Sequence, residues 1–189
     1  MTAARLPFPF PVATWTGSSV RLIDQTRLPE TLSWRHCDDI PSLCRAITEL
    51  AVRGAPALGV AAAYGLALSW RLVVARCGSG EEARARFRAD RQAIAATRPT
   101  AVNLFWALDR VGALAEQMWR DGRGDQDVAA GLLAEADAIL KEDLDMCRAL
   151  GRAGQELLAD FATVLTHCNA GGLATGGYGT ALGVIYAAQ

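Results

Sequence analysis

The sequence predicts an α+β chain: a mainly helical N-terminal domain with a small antiparallel sheet, followed by one strand–helix unit of α/β type. Three observations predict it. Five stretches between residues 39 and 150 carry helical apolar spacing or helix start and stop signals. Two short β-rich stretches flank a proline turn near the N-terminus. Further on, the β-branched run Ala162-Thr163-Val164-Leu165-Thr166 leads into His167-Cys168-Asn169, then into glycines and a helical pattern.

The 189 residues suit one large domain, or one domain plus part of another. Hydrophobic residues make up 51% of them, enough for a substantial core. Charged residues stand at 21% with a formal net charge of −1, which leaves no basic stripe. Nucleic acid and an anionic membrane surface are therefore not expected partners. The longest apolar run, residues 55–70, is short for a membrane span and rich in small residues. Residues 1–12 hold Pro7, Pro9 and Pro11 and lack the apolar core of a signal peptide, so a cytoplasmic location is the default expectation. The cysteines (37, 44, 77, 147 and 168) are odd in number and form no C-x-x-C, and the histidines are only His36 and His167. Neither a disulfide framework nor a metal centre is expected. Most of these cysteines read as small buried hydrophobes, and Cys168 stands apart by its setting.

Residues 18–24 and 31–37 read as strands around a turn at Leu28-Pro29-Glu30. His36 there reads as a sheet-edge or packing residue, not a catalyst. Asp38 or Asp39 can cap a first helix with Pro41 in its first turn and Ile40, Leu43, Cys44, Ile47 and Leu50 on its apolar face. Ala55 precedes Pro56 and is pushed out of the helical region, so a second helix is expected from residue 56 to about residue 76.

Arg53 and the free amides at that helix start suit a phosphate, because the dipole, unpaired N–H groups and a guanidinium fork converge there. An ordinary turn with an exposed arginine fits the same residues. Gly59, Ala61, Ala62, Ala63 and Gly65 imply that this helix packs closely on something.

A charged helix with a solvated face follows over residues 81–96. Arg98 sits where Thr97-Arg98-Pro99-Thr100 breaks it. The next helix, residues 102–119, is expected to place its aromatics in the core. Val128, Leu132, Ala136, Ile139, Leu140, Leu144, Cys147 and Leu150 then make a long amphipathic helix.

A strand at 162–166 turning into a helix at 173–189 is where α/β proteins place small ligands. Gly172, Gly176, Gly179 and Gly183 would share one face of that helix. Each costs roughly 1 kcal/mol against alanine in a helix interior, so a close backbone or ligand is expected. A dinucleotide site fails on spacing, because Leu182 stands where the third glycine of G-x-G-x-x-G would fall.

Three segments, in this order and at these separations, carry a resemblance. They are Val52-Arg53-Gly54-Ala55-Pro56-Ala57-Leu58-Gly59, Thr97-Arg98-Pro99-Thr100-Ala101-Val102-Asn103-Leu104 and Leu165-Thr166-His167-Cys168-Asn169-Ala170-Gly171. With Leu22-Ile23-Asp24-Gln25-Thr26-Arg27-Leu28-Pro29 they resemble the S-methyl-5-thioribose-1-phosphate isomerases of methionine salvage, relatives of the regulatory subunits of a translation-initiation exchange factor. The resemblance implies an aldose–ketose isomerase that needs no metal or other cofactor and acts on a sugar phosphate. It implies that Cys168 is catalytic and that Arg53, Gly54, Ala55 and Arg98 contact substrate. It implies a homodimer for the full-length protein.

By the same resemblance, residues 1–125 form the N-terminal helical and small-sheet domain. Residues 126–160 form a connecting helix, and residues 161–189 the first β–α unit of a Rossmann-like domain. Members of that family are longer and carry their catalytic aspartate beyond the equivalent of residue 189, so the chain is expected to be an N-terminal part. Gly171-Gly172 departs from the single glycine usual there. Two other readings stay open: an isomerase of another phosphorylated pentose, such as ribose 1,5-bisphosphate or a 5-deoxyribose 1-phosphate, and a non-catalytic regulatory subunit. Retention of Arg53-Gly54-Ala55-Pro56 together with Cys168 argues against the second.

Overall fold

A three-stranded antiparallel sheet comes first. The computed structural model describes residues 11–158 and 163–189. In it β1 (Ala13–Trp15), β2 (Val20–Ile23) and β3 (Trp34–Cys37) lie in the order β1-β2-β3. Trp15 pairs with Val20, and Arg21 with His36. Val20, Leu22 and Ile23 are buried while Arg21 is half-exposed, the pattern of a strand with one face on a core. His36 is exposed on the edge strand β3, as the sequence predicts. β1 was not legible, because three residues behind a proline-rich stretch show no alternation. That stretch, residues 1–10, lies outside the described residues.

Five helices follow close to their expected bounds: α1 (Ile40–Thr48), α2 (Ala55–Cys77), α3 (Glu81–Thr97), α4 (Val102–Arg120) and α5 (Asp125–Gly154). Asp39 caps α1 by accepting from the Ser42 amide at 2.8 Å, and the Ser42 hydroxyl accepts from the Asp39 amide at 3.3 Å. This reciprocal pair satisfies two amides that the helix cannot.

α2 is the axis of the molecule. It packs on α3, α4 and α5 and is buried from Ala57 through Trp70. A helix that is apolar all round is stable only inside such a layer. Its small residues have definite neighbours: a Cβ at Gly65 would fall 2.5 Å from Leu43 of α1, and one at Gly59 3.1 Å from the Asn103 carbonyl of α4. By length and composition α2 could cross a membrane, but 83% of its most apolar window is buried against the other helices. Trp70, Phe87 and Trp119 close the far end of this core. Phe87 meets both indoles edge to face, with ring centres 6.0 and 5.5 Å apart.

The aromatics of α4 divide, contrary to expectation. Trp119 is buried, but Phe105 and Trp106 are exposed. The buried face of α4 runs Leu104, Ala107, Leu108, Val111 and Ala115, and residues 105 and 106 fall off that stripe. The Arg110 guanidinium lies over the Trp106 ring, 5.4 Å from its centre.

The C-terminal expectation is corrected most. Ala162 lies outside the described residues, and residues 163–167 form no strand. Leu165 is 97% exposed. Among the described residues no strand lies beside this run to take its backbone hydrogen bonds, and an isolated strand has no stability of its own. The helix starts late as well: α6 spans Ala181–Ala188, preceded by a single 3-10 turn at Gly172–Ala174 and a glycine-rich loop. Gly172, Gly176 and Gly179 therefore do not share a helix face with Gly183. The described residues show the helical layer and small sheet; they do not show a Rossmann-like β–α unit.

Candidate functional site

Two chain segments meet at the start of α2. In the first, Ala51 and Val52 are buried, Arg53 turns outward, and Gly54 takes φ +98°. Residues with a side chain rarely adopt that conformation. A Cβ on Gly54 would also lie 2.4 Å from the Cα of Ala174, so the glycine lets the second segment close against the first. The Leu58 amide bonds the Gly54 carbonyl at 3.0 Å, which leaves the amides of Ala55 and Ala57 ahead of the first helical hydrogen bond. Ala55 is exposed at this end. Among the described residues the Arg53 guanidinium makes no ion pair or hydrogen bond.

The second segment is the loop from Cys168 to Thr180, folded back on itself. The amides of Thr180 and Leu182 both donate to the Ala170 carbonyl, at 3.0 and 3.2 Å. The Thr175 hydroxyl accepts from the amides of Gly177 and Gly179 and donates to the Gly172 carbonyl. The Asp143 carboxylate, buried on α5, accepts from the Gly176 amide. Burial raises the Asp143 pKa above the ordinary carboxyl value, and the bonds from Gly176 and Cys147 offset part of that rise. Gln25 donates from Nε2 to the Leu173 carbonyl at 2.7 Å. The loop is thus held by α5 on one side and by the N-terminal segment on the other.

Between the two segments lies a cavity of about 300 Å³ lined by Gln25, Arg53, Cys168, Asn169, Leu173 and Tyr186, with the loop backbone between them. That is the lower end of the size range for small-ligand sites. Cys168 is exposed and takes φ +66°, uncommon for a residue with a side chain and costing roughly 1–2 kcal/mol that the surrounding structure offsets.

The sequence-predicted residues Arg53 and Cys168 therefore line one cavity, with Gly54 at its seam and Ala55 at the adjacent helix start. Arg98 is not among the residues lining it. It caps the C-terminal end of α3, where its Nη1 is buried without a hydrogen-bond partner. Sequence reasoning missed Gln25 and Asp143. The signal for Gln25 was its place in the stretch 22–29 that carries part of the resemblance, whereas Asp143 looks like any acidic residue of an amphipathic helix. Among the described residues no three His, Cys, Asp or Glu side chains gather as a metal-ligating group.

The arrangement is an anion-suited helix start facing a cysteine-bearing loop, set on a helical layer with a small sheet. Residues 51–189 match the family described as the initiation factor 2 subunit family, and the chain belongs to it. A similar protein, the methylthioribose-1-phosphate isomerase of Geotalea daltonii, is 48% identical over 180 residues, covering 95% of this chain and 51% of that protein. The protein of that name from Syntrophotalea carbinolica is 52% identical over 169 residues, 89% of this chain and 48% of its own length. The chain spans about half the length of the curated relatives it matches.

Two solved structures agree with the fold. The 5-methylthioribose 1-phosphate isomerase of Pyrococcus horikoshii matches with a TM-score of 0.83 at 34% identity, over 95% of this chain and 48% of that one. The delta subunit of translation initiation factor eIF-2B from A. fulgidus matches with a TM-score of 0.79 at 40% identity, over 95% of this chain and 51% of that one.

Proposed function

We propose that the chain is the N-terminal part of an aldose–ketose isomerase converting 5-methylthioribose 1-phosphate to 5-methylthioribulose 1-phosphate. The observation that carries this is the conjunction of Arg53 and Cys168 on one small cavity, in a chain about half identical to proteins named for that reaction. In the overall reaction the C1–ring oxygen bond breaks and that oxygen gains a proton. The C2 hydrogen ends on C1, and the C2 hydroxyl loses its proton to become the ketone. Arg53 and the amides of Ala55 and Ala57 hold the phosphate, with Gly54 allowing its close approach. Arg98, outside the lining of that cavity, is a substrate contact on the strength of the family resemblance. Cys168 moves a proton or stabilises the charge that develops as the ring opens. Residues 161–189 begin the Rossmann-like domain of the complete protein, which acts as a homodimer.

The test is turnover and binding measured on Cys168→Ser and Arg53→Ala, with ketose formation followed by NMR. Cys168→Ser lowers kcat by about 10²-fold or more with little change in binding, the scale of a lost proton-transfer group. Arg53→Ala weakens sugar-phosphate binding roughly tenfold or more, the scale of a lost charged hydrogen bond. Unchanged turnover in the Cys168 variant would sink the assignment.

A second reading, a non-catalytic subunit, is favoured by the likeness to the eIF-2B delta subunit. It is distinguished by ligand binding with no ketose product.

A further inference from the structure

Gln25 is 5% exposed, yet it lines the cavity between Arg53 and Cys168. Its backbone amide is bonded to the Ala51 carbonyl at 3.0 Å, which fixes it against the chain leading into Arg53. Its side-chain orientation follows from chemistry. The group facing the Leu173 carbonyl at 2.7 Å must be the NH₂ end, because a carbonyl only accepts. The other end is therefore Oε1. No hydrogen bond reaches Oε1 among the described residues, and it is not one of the side-chain atoms sealed in without a partner. A nearly buried amide in the cavity wall thus keeps an acceptor that no hydrogen bond among the described residues uses.

An amide oxygen cannot take a hydrogen bond from a phosphate dianion, which has only acceptors. A ligand satisfying both Arg53 and Gln25 must carry an anion and, separately, a hydroxyl. We propose that Gln25 is a substrate-binding residue whose Oε1 accepts a hydrogen bond from a ring hydroxyl of the sugar phosphate. This rests on the isomerase reading and deepens it. Arg53 anchors the charge, while Gln25 reads the sugar and its other end holds the Cys168 loop through Leu173. A site built to bond a hydroxyl rejects the analogue that lacks it, because the buried acceptor is then left unpaired.

The experiment measures Kd by calorimetry in the Cys168→Ser background, where turnover is slowed. The ligands are 5-methylthioribose 1-phosphate, its 2-deoxy and 3-deoxy analogues, and inorganic phosphate. Gln25→Leu removes both ends of the amide. Gln25→Lys keeps a donor for Leu173 but has no acceptor, so it separates loss of the contact from loss of the loop.

One deoxy analogue is expected to bind roughly tenfold more weakly than the full sugar phosphate. Both Gln25 variants should erase that gap, and Gln25→Leu should leave inorganic phosphate binding as it was. A gap that persists in both variants, or that is absent to begin with, overturns the Gln25 contact and leaves the isomerase reading standing. Failure of the Cys168→Ser protein to bind 5-methylthioribose 1-phosphate at all overturns the isomerase reading, and the contact with it.

Discussion

Gly54 joins two requirements at one position. Its φ of +98° penalises any side chain, and the space where a Cβ would go is already filled by the backbone of Ala174. Gly54→Ala is therefore expected to cost about 3 kcal/mol, from left-handed strain plus overpacking against an atom that cannot rotate away. Urea unfolding measures it, and a loss under 1 kcal/mol would mean that the loop simply moves aside. The residue was legible in Val52-Arg53-Gly54-Ala55-Pro56 as a turn before a helix, but its partner was not. Ala174 lies 120 residues away in sequence, and nothing local announces that contact. Arg53 and Cys168, which line one cavity, were singled out because a cation before a helix start and a cysteine before glycines are local patterns, and because both stand in the segments that carry the resemblance. Gln25 was not, because a single amide acquires its meaning only from what closes over it.

At the scale of elements, the loop between Cys168 and α6 depends on α5 through Asp143. The Asp143→Ala change leaves the Gly176 amide without its buried acceptor and is expected to cost about 2 kcal/mol. Asp143→Asn keeps an acceptor oxygen and removes the charge. The sign of the pH effect follows from burial, which raises the Asp143 pKa in the folded state above its unfolded value near 3.8. Between those two values the folded protein holds a proton that the unfolded chain has released, so stability falls as pH rises through that window. In Asp143→Asn that fall should disappear, and urea midpoints taken from pH 3.5 upward would show it. An identical slope in both proteins would mean that Asp143 is not desolvated.

The five long helices were legible because each carries 3.6-residue periodicity or its own start and stop signals, as in Asp39-Ile40-Pro41-Ser42. The strand expected at 162–166 is not formed over its described part, residues 163–166, because composition tells what can pair but not whether a neighbour is there to pair with. The glycine stripe was misread for a related reason. Spacing by three and four is compatible with a helix, yet these glycines serve a loop that Thr175 and Asp143 hold through its amides.

For the whole molecule, the question is whether the loop and α6 unfold with the helical layer or apart from it. Contacts tie them to the N-terminal segment, the start of α2 and α5: Gln25 to Leu173, Gly54 to Ala174, Asp143 to Gly176, and the Val12 amide to the Gly176 carbonyl at 3.3 Å. Interactions spread over several elements favour one cooperative transition. Cys147 reports on this directly, because it is buried on α5 near Asp143 and burial pushes its thiol pKa up to about 11. It should resist alkylation until that surface opens, whereas exposed Cys168 should react in the native state. Peptide mapping by mass spectrometry across a urea series would give the Cys147 labelling midpoint. Tryptophan fluorescence, to which the packed indoles of Trp70 and Trp119 contribute, would give the midpoint of the core. The two are expected to coincide. Labelling of Cys147 at clearly lower urea would mean that the loop and α6 undock while the core stays folded, and the cavity that holds Cys168 against Arg53 would then be the least stable part of the protein.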